Sequence, residues 1–168
     1  MTANRSGACW AVAPYNPEAG IVDRVWQYDR ESGVVAIGWH LIPEDISLLD
    51  RVSLQLSMKR HHPDDPGGWQ SLWAFYHRMQ VGDFVVERTG RSTALGIGRI
   101  TSSAYRDDKR GQERTGGYHP WFKPHFRNVE WLSTRKEEFP HFVFAIATVT
   151  QLSTHRPEVL RRYQDVLR

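Results

Sequence analysis

Apolar residues along this chain fall into two rhythms, and the rhythm changes near the middle. "ACWAVA" (8–13) is a short apolar run ended by Pro14, and "VVAIGW" (34–39) is a second; both predict buried strands. Between them Asn16-Pro17-Glu18 has the form of a helix start, and Ile21, Val22, Val25 and Trp26 recur at helical spacing. Gly20 leaves a structured loop open as the alternative. Pro43-Glu44-Asp45 opens a predicted helix with Ile46, Leu49, Val52 and Leu56 on one face. After the Pro-, Gly- and Asp-rich loop 59–68, a further helix is expected over 69–79, with Trp69, Leu72, Trp73, Tyr76 and Met79 as a core-facing stripe.

Past residue 80 the period shortens to two. "GDFVVERT" (82–89) alternates as a half-buried strand does, "GRS" turns, and "TALGIGRITS" (93–102) returns, which predicts a hairpin. "RNVEWLS" (127–133) and "HFVFAIATVTQLS" (141–153) predict two more strands. "RPEVLRRYQDVLR" predicts an amphipathic terminal helix over about 156–167, with Val159, Leu160, Tyr163, Val166 and Leu167 inward. Short helices around a mostly non-parallel, strongly curved sheet of about six strands imply an α+β pseudo-barrel. With 168 residues this fits one domain, its core over about 8–152.

Composition narrows the picture a little. A net charge of +3 permits an anionic partner without demanding one. The single Cys9 excludes an internal disulfide and any multi-Cys zinc site, and fits a reducing cytoplasm. No segment has the apolar length of a signal peptide core or a membrane span, so a soluble cytoplasmic protein is expected. Seven Trp residues are many for this length, enough that some rings are expected to work outside the core.

Motifs for catalysis are absent. "GIG" (96–98) lies inside a strand and lacks the third glycine of a dinucleotide loop, so it predicts a bulge or a close backbone approach and no cofactor. His61, His62, Asp64 and Asp65 share a loop stiffened by Pro63 that is ill-suited to converge on one metal, and no metal site is expected. His119 and His125 with nearby acids leave a small metal-dependent hydrolase as an outside alternative. The unusual segment is 103–131, "SAYRDDKRGQERTGGYHPWFKPHFRNVEW", where Tyr105, Tyr118, Trp121, Phe122 and Phe126 alternate with Arg106, Lys109, Arg110, Arg114, Lys123 and Arg127. Rings interleaved with cations suit flat bases joined by anionic links.

In this order, "VVAIGW", "LWAFYHRMQVGDFVVER", "LGIGRITSSAY" and "HFRNVEWL" resemble the motifs of EVE domains. These belong to the PUA-like superfamily and are related to YTH domains and to the DNA-reading domains of modification-dependent restriction systems. The resemblance covers roughly residues 8–152. It implies a non-catalytic module that swings one modified base out of DNA, methylated adenine or 5-modified cytosine, into an aromatic pocket, with no cofactor. An RNA-binding PUA-like module is the alternative. The Trp that ends the second strand would be one wall, Trp39, with His40 beside it. Trp121 would be the second wall, with Tyr118 and Tyr105 as substitutes. The turn after the first strand, Tyr15 and Asn16, would read the base edge, and Arg106, Lys123 and Arg127 would hold phosphates. A nuclease or motor partner would supply the output. The long "RDDKRGQERTGG" insertion departs from the family pattern.

Overall fold

A computed structural model describes residues 7–117, 121–152 and 158–167. Strand β1 (Cys9–Val12) is followed by a single 3-10 turn, Pro17–Ala19, and helix α1 (Val22–Ser32). Both readings of the 16–26 stretch thus hold in part. Asn16 caps the turn, and Gly20 ends it in the left-handed conformation that a side chain would resist. Next come β2 (Val34–Ile37), α2 (Arg51–His61), α3 (Trp69–Trp73), β3 (Phe84–Thr89), β4 (Thr93–Ile100), β5 (Tyr105–Arg106), α4 (Asp108–Arg114), β6 (His125–Ser133), β7 (Glu137–Glu138), β8 (Val149–Gln151) and α5 (Glu158–Arg162).

The strands form one curled mixed sheet in the order β2-β6-β4-β3-β1-β8, with β5 added to β6 and β7 to β4. Among the described residues β1 and β3 run parallel and the other strand pairs are antiparallel. The fold is therefore α+β, a sheet curled into a half-barrel with short helices around it. Register shifts at Glu87/Arg88 and Ile97/Gly98 help to bend it. "GIG" lies at the second shift and marks close backbone approach: a Cβ on Gly96 would stand 2.6 Å from the Ser133 carbonyl, and one on Gly98 2.8 Å from that of Glu130.

The sheet is covered on both faces, which is why β1 and β2 are fully buried runs instead of alternating ones. Trp10, Val12 and Val85 point to a core shared with Leu54 and Met58 of α2, Leu72 of α3, and Phe75. Cys9, Ala11, Val86 and Ile97 point the other way, onto Phe139, Phe144, Val159 and Tyr163. The Trp69–Met79 stripe packs inward as expected, Leu72, Phe75 and Met79 fully and Trp69, Trp73 and Tyr76 in part. Its second half, Ala74–Arg78, widens into a π turn.

Three expectations need correction. The helix expected to open at Pro43 starts at Arg51, because Asp50 caps it through the Ser53 amide while Asp45 caps only a 3-10 turn, Ile46–Leu48. Its buried face is Leu54, Ser57 and Met58, so Val52 and Leu56 face outward. Of the strand expected over 141–153, only Val149–Gln151 pairs. Upstream of it the Arg88 guanidinium takes the carbonyls of Ile146 and Ala147, and the Arg91 Nε takes that of Phe144, occupying acceptors a neighbouring strand would use. The insertion is not an open loop: Asp107 caps α4 within it. At the carboxyl end, helix spans Glu158–Arg162 with Val159 and Tyr163 buried as expected; residues 153–157 lie outside the described ones. Among the described residues no helix is long and apolar enough to cross a membrane.

Candidate functional site

An open cavity of about 960 Å³ lies where β1, β2 and β3 end and β6 begins, within the size range of small-ligand sites. Register explains why distant residues meet there. Ile37, the last residue of β2, pairs with His125, the first of β6, so Gly38–Trp39 and Lys123 leave the sheet side by side. Parallel β1 and β3 end on the same side and contribute Ala13 to Asn16 and Arg88 to Arg91.

Trp39 has φ +70°, alone in this region among the described non-glycine residues. For a bulky side chain that conformation costs about 1–3 kcal/mol and persists only where its surroundings enforce it. Four contacts do so. Its carbonyl lies 3.2 Å from His125 Nε2, and His125 Nδ1 lies 2.7 Å from the Tyr76 hydroxyl. A carbonyl only accepts, so Nε2 donates and Nδ1 accepts from Tyr76. The Trp39 indole N–H donates to Asp65 at 3.1 Å. The indole lies against the Gly68 backbone, where a Cβ would come within 2.5 Å of Nε1. Arg106 donates to the carbonyls of His40 and Ile42 and fixes the chain that follows. Burial holds the His125 pKa down at about 4, so this clamp is neutral imidazole.

A second indole comes from the segment after α4. Trp121 is 65% exposed and lines the same cavity, and its carbonyl accepts from the Tyr15 hydroxyl at 3.3 Å. The His40 ring lies 6.3 Å from that of Trp121, edge to face, and 4.8 Å from that of Phe122. Below, Arg114 of α4 is fully buried, bidentate to Asp29 of α1 at 2.6 and 2.7 Å, and bonded to the Pro14 carbonyl at 3.2 Å. This pair ties the insertion to both α1 and the Tyr15 turn. Glu87 is buried beside it, its pKa raised well above the usual range by burial and then by the Asp29 charge.

The cavity thus brings together Trp39, Trp121, Tyr15, Asn16, His40 and Lys123 from the sequence-predicted set. Asn16 is present chiefly as a cap, its side chain accepting from the Glu18 amide at 3.0 Å. Tyr118 and His119 lie outside the described residues.

Three expected roles are corrected. Tyr105 faces a separate cavity of about 400 Å³; its ring stacks on Phe126 and its hydroxyl donates to Asn128, so it forms no wall of the main one. Arg127 is buried, with its donors on the carbonyls of Phe75, Met79 and Ser102; it finishes the turn after α3 and holds no phosphate. Arg106 spends its donors on His40, Ile42 and Asp108 and lines the smaller cavity. His125, one member of the alternative hydrolase pair, is buried with both ring nitrogens engaged. Among the described residues no group of three or more His, Cys, Asp or Glu is placed to hold a metal ion.

Sequence reasoning missed Asp65, His62, Arg88, Arg91 and Ile146 as lining residues. The "HHPDDPGG" loop was readable as polar, but nothing local announces that Asp65 meets an indole 26 positions away. Burial lowers the pKa of His40 and then of His62, so both present neutral rings at pH 7.

A profile of the family described as a domain of unknown function (DUF8426) matches residues 16–154. The chain belongs to this family. The DUF8426 match takes in Trp39, Trp121 and Lys123 and every element from α1 to β8, leaving out β1 and α5. No curated protein matches the chain.

Proposed function

We propose that the protein is a non-catalytic reader of a modified base in DNA, of the EVE and PUA-like kind, serving a modification-dependent restriction or phage-defence system in the cytoplasm with a nuclease or motor partner. The observation that supports this best is the cavity itself: two indoles, one clamped and one exposed, line one open cavity of about 960 Å³. Trp39, Trp121 and the neutral ring of His40 offer a flat ligand aromatic surface in this cavity.

Magnitudes favour discrimination over tight binding. Everting a base costs a few kcal/mol, and stacking on aromatics returns roughly 1–3 kcal/mol per base. With these nearly balanced, a buried methyl group worth about 0.8 kcal/mol shifts occupancy about fourfold. Competition binding between duplexes that differ in one base, methylated adenine or 5-modified cytosine against plain, tests the reading. One modified duplex should win, and Trp121→Ala should erase the preference. Equal binding of all duplexes, or stronger binding of matched RNA, counts against it.

A further inference from the structure

Among the described residues, one of the Lys and Arg side chains that line the cavity makes no hydrogen bond or ion pair. Arg88 also lines it but donates to the carbonyls of Gly90, Ile146 and Ala147, and the Nε of Arg91 donates to that of Phe144. Lys123 is different. Among the described residues its ammonium makes no hydrogen bond and no ion pair; it stands 5.2 Å over the Tyr15 ring and beside Gly38. It is half-buried in the cavity lining, beside the rung where β2 and β6 part. An ammonium has three donors and no acceptor. Partly withdrawn from water and without an ion-pair partner within reach, it is useful to a ligand that supplies one.

We infer that Lys123 seats an oxyanion inside the cavity, so that the unit held between the indoles is recognised as an anion. This rests on the base-reader proposal and narrows its ligand. The oxyanion has two possible sources, an acidic substituent on the everted base, such as a carboxylate, or the nucleotide's own phosphate. Burial and then the Arg114 charge lower the Lys123 pKa to about 8. Protonation and anion binding are therefore coupled: affinity is full below pH 8 and falls as pH rises through it. The groups facing Lys123 do not mimic this between pH 7 and 9. His40 and His62 are already neutral there, and the Arg114–Asp29 pair is buried and internally matched. Tyr15 has its pKa raised by burial. Across the cavity stand Asp64 and Asp65, His61, Arg88 and Arg91, and of these Arg88 has a pKa lowered only to about 10.

The test measures dissociation constants of the full chain at pH 7 and pH 9 for four cytosine probes. Two are single-site duplexes carrying 5-carboxylcytosine or 5-methylcytosine; two are the free 5-methyl nucleoside and its 5′-monophosphate. Lys123→Met should weaken the anion-dependent probe about tenfold or more, Lys123→Arg should retain most of the affinity, and pH 9 should reproduce the Met effect in the native chain. Preference for the carboxyl duplex assigns the anion to the base; preference for the monophosphate over the nucleoside, with equal duplexes, assigns it to the phosphate. An unchanged affinity in Lys123→Met for every probe, or equal weakening of charged and neutral probes, overturns the inference. Failure of the base-reader proposal has its own signature: Trp121→Ala leaves duplex binding intact whatever Lys123 does. A thermal melt guards against misfolding, and Lys123→Met should melt at the same temperature or higher, since it removes a charge withdrawn from water.

Discussion

The two walls of the cavity are built in opposite ways. Trp39 stands two residues past the end of β2, in a left-handed conformation, its carbonyl and indole N–H engaged and its ring packed against Gly68. Trp121 stands on the segment after α4, 65% exposed, its backbone carbonyl bonded to Tyr15, its ring edge-on to His40, and the Arg114 anchor seven residues earlier. One wall is fixed by the fold and spends stability on that fixity; the other is delivered to the fold by one buried ion pair. A slot of this kind is preorganised on one side, and the price of ordering a ligand falls mainly on the other.

The largest effect should come from the anchor. Arg114→Met leaves the Asp29 carboxylate buried without its partner and should lower unfolding free energy by about 3–5 kcal/mol, measured by urea denaturation. If the loss is under about 1 kcal/mol, the insertion is held by something other than this pair.

Next comes the clamp on Trp39, which is sensitive to acid. His125 has a folded pKa near 4 against 6.5 for the free side chain. Between these values the unfolded chain binds the extra proton, so stability is full above about pH 6.5 and declines as pH falls toward 4, by up to about 3 kcal/mol. Denaturation at pH 7 and pH 4.5 should reveal this slope, and His125→Gln should flatten it. An equal slope in the variant would assign the acid sensitivity to other groups.

Single-wall substitutions then sharpen the contrast. Trp39→Ala opens a gap against Gly68 and should cost about 2 kcal/mol of stability along with base preference. Trp121→Ala should change stability by under about 0.5 kcal/mol while losing roughly 1–3 kcal/mol of binding. Equal stability losses for the two would erase the distinction between a built wall and a delivered one.

What the sequence disclosed follows the same division. Strands such as "VVAIGW" and "GDFVVERT" were legible because apolar runs and alternation are local signals, and Trp39 was legible because it ends such a run. The irregular 141–148 stretch was not. It has the composition of a strand, but the Arg88 and Arg91 guanidinium groups bind its carbonyls, and no local pattern encodes that. Cations were the least legible class. Arg106, Lys123 and Arg127 look alike in one dimension, yet one pins the Trp39 segment, one lines the cavity and one is buried on three carbonyls. Their difference lies in which carbonyls the fold leaves unpaired, and that is settled only by tertiary packing.

The two-walled slot is tested most directly by the seven indole N–H resonances of the ¹⁵N-labelled protein during titration with a duplex carrying one modified base. Trp39 and Trp121 should shift together, in the same ligand range, while Trp10, Trp26 and Trp131 stay in place. Saturable binding that moves neither Trp39 nor Trp121 would contradict the slot.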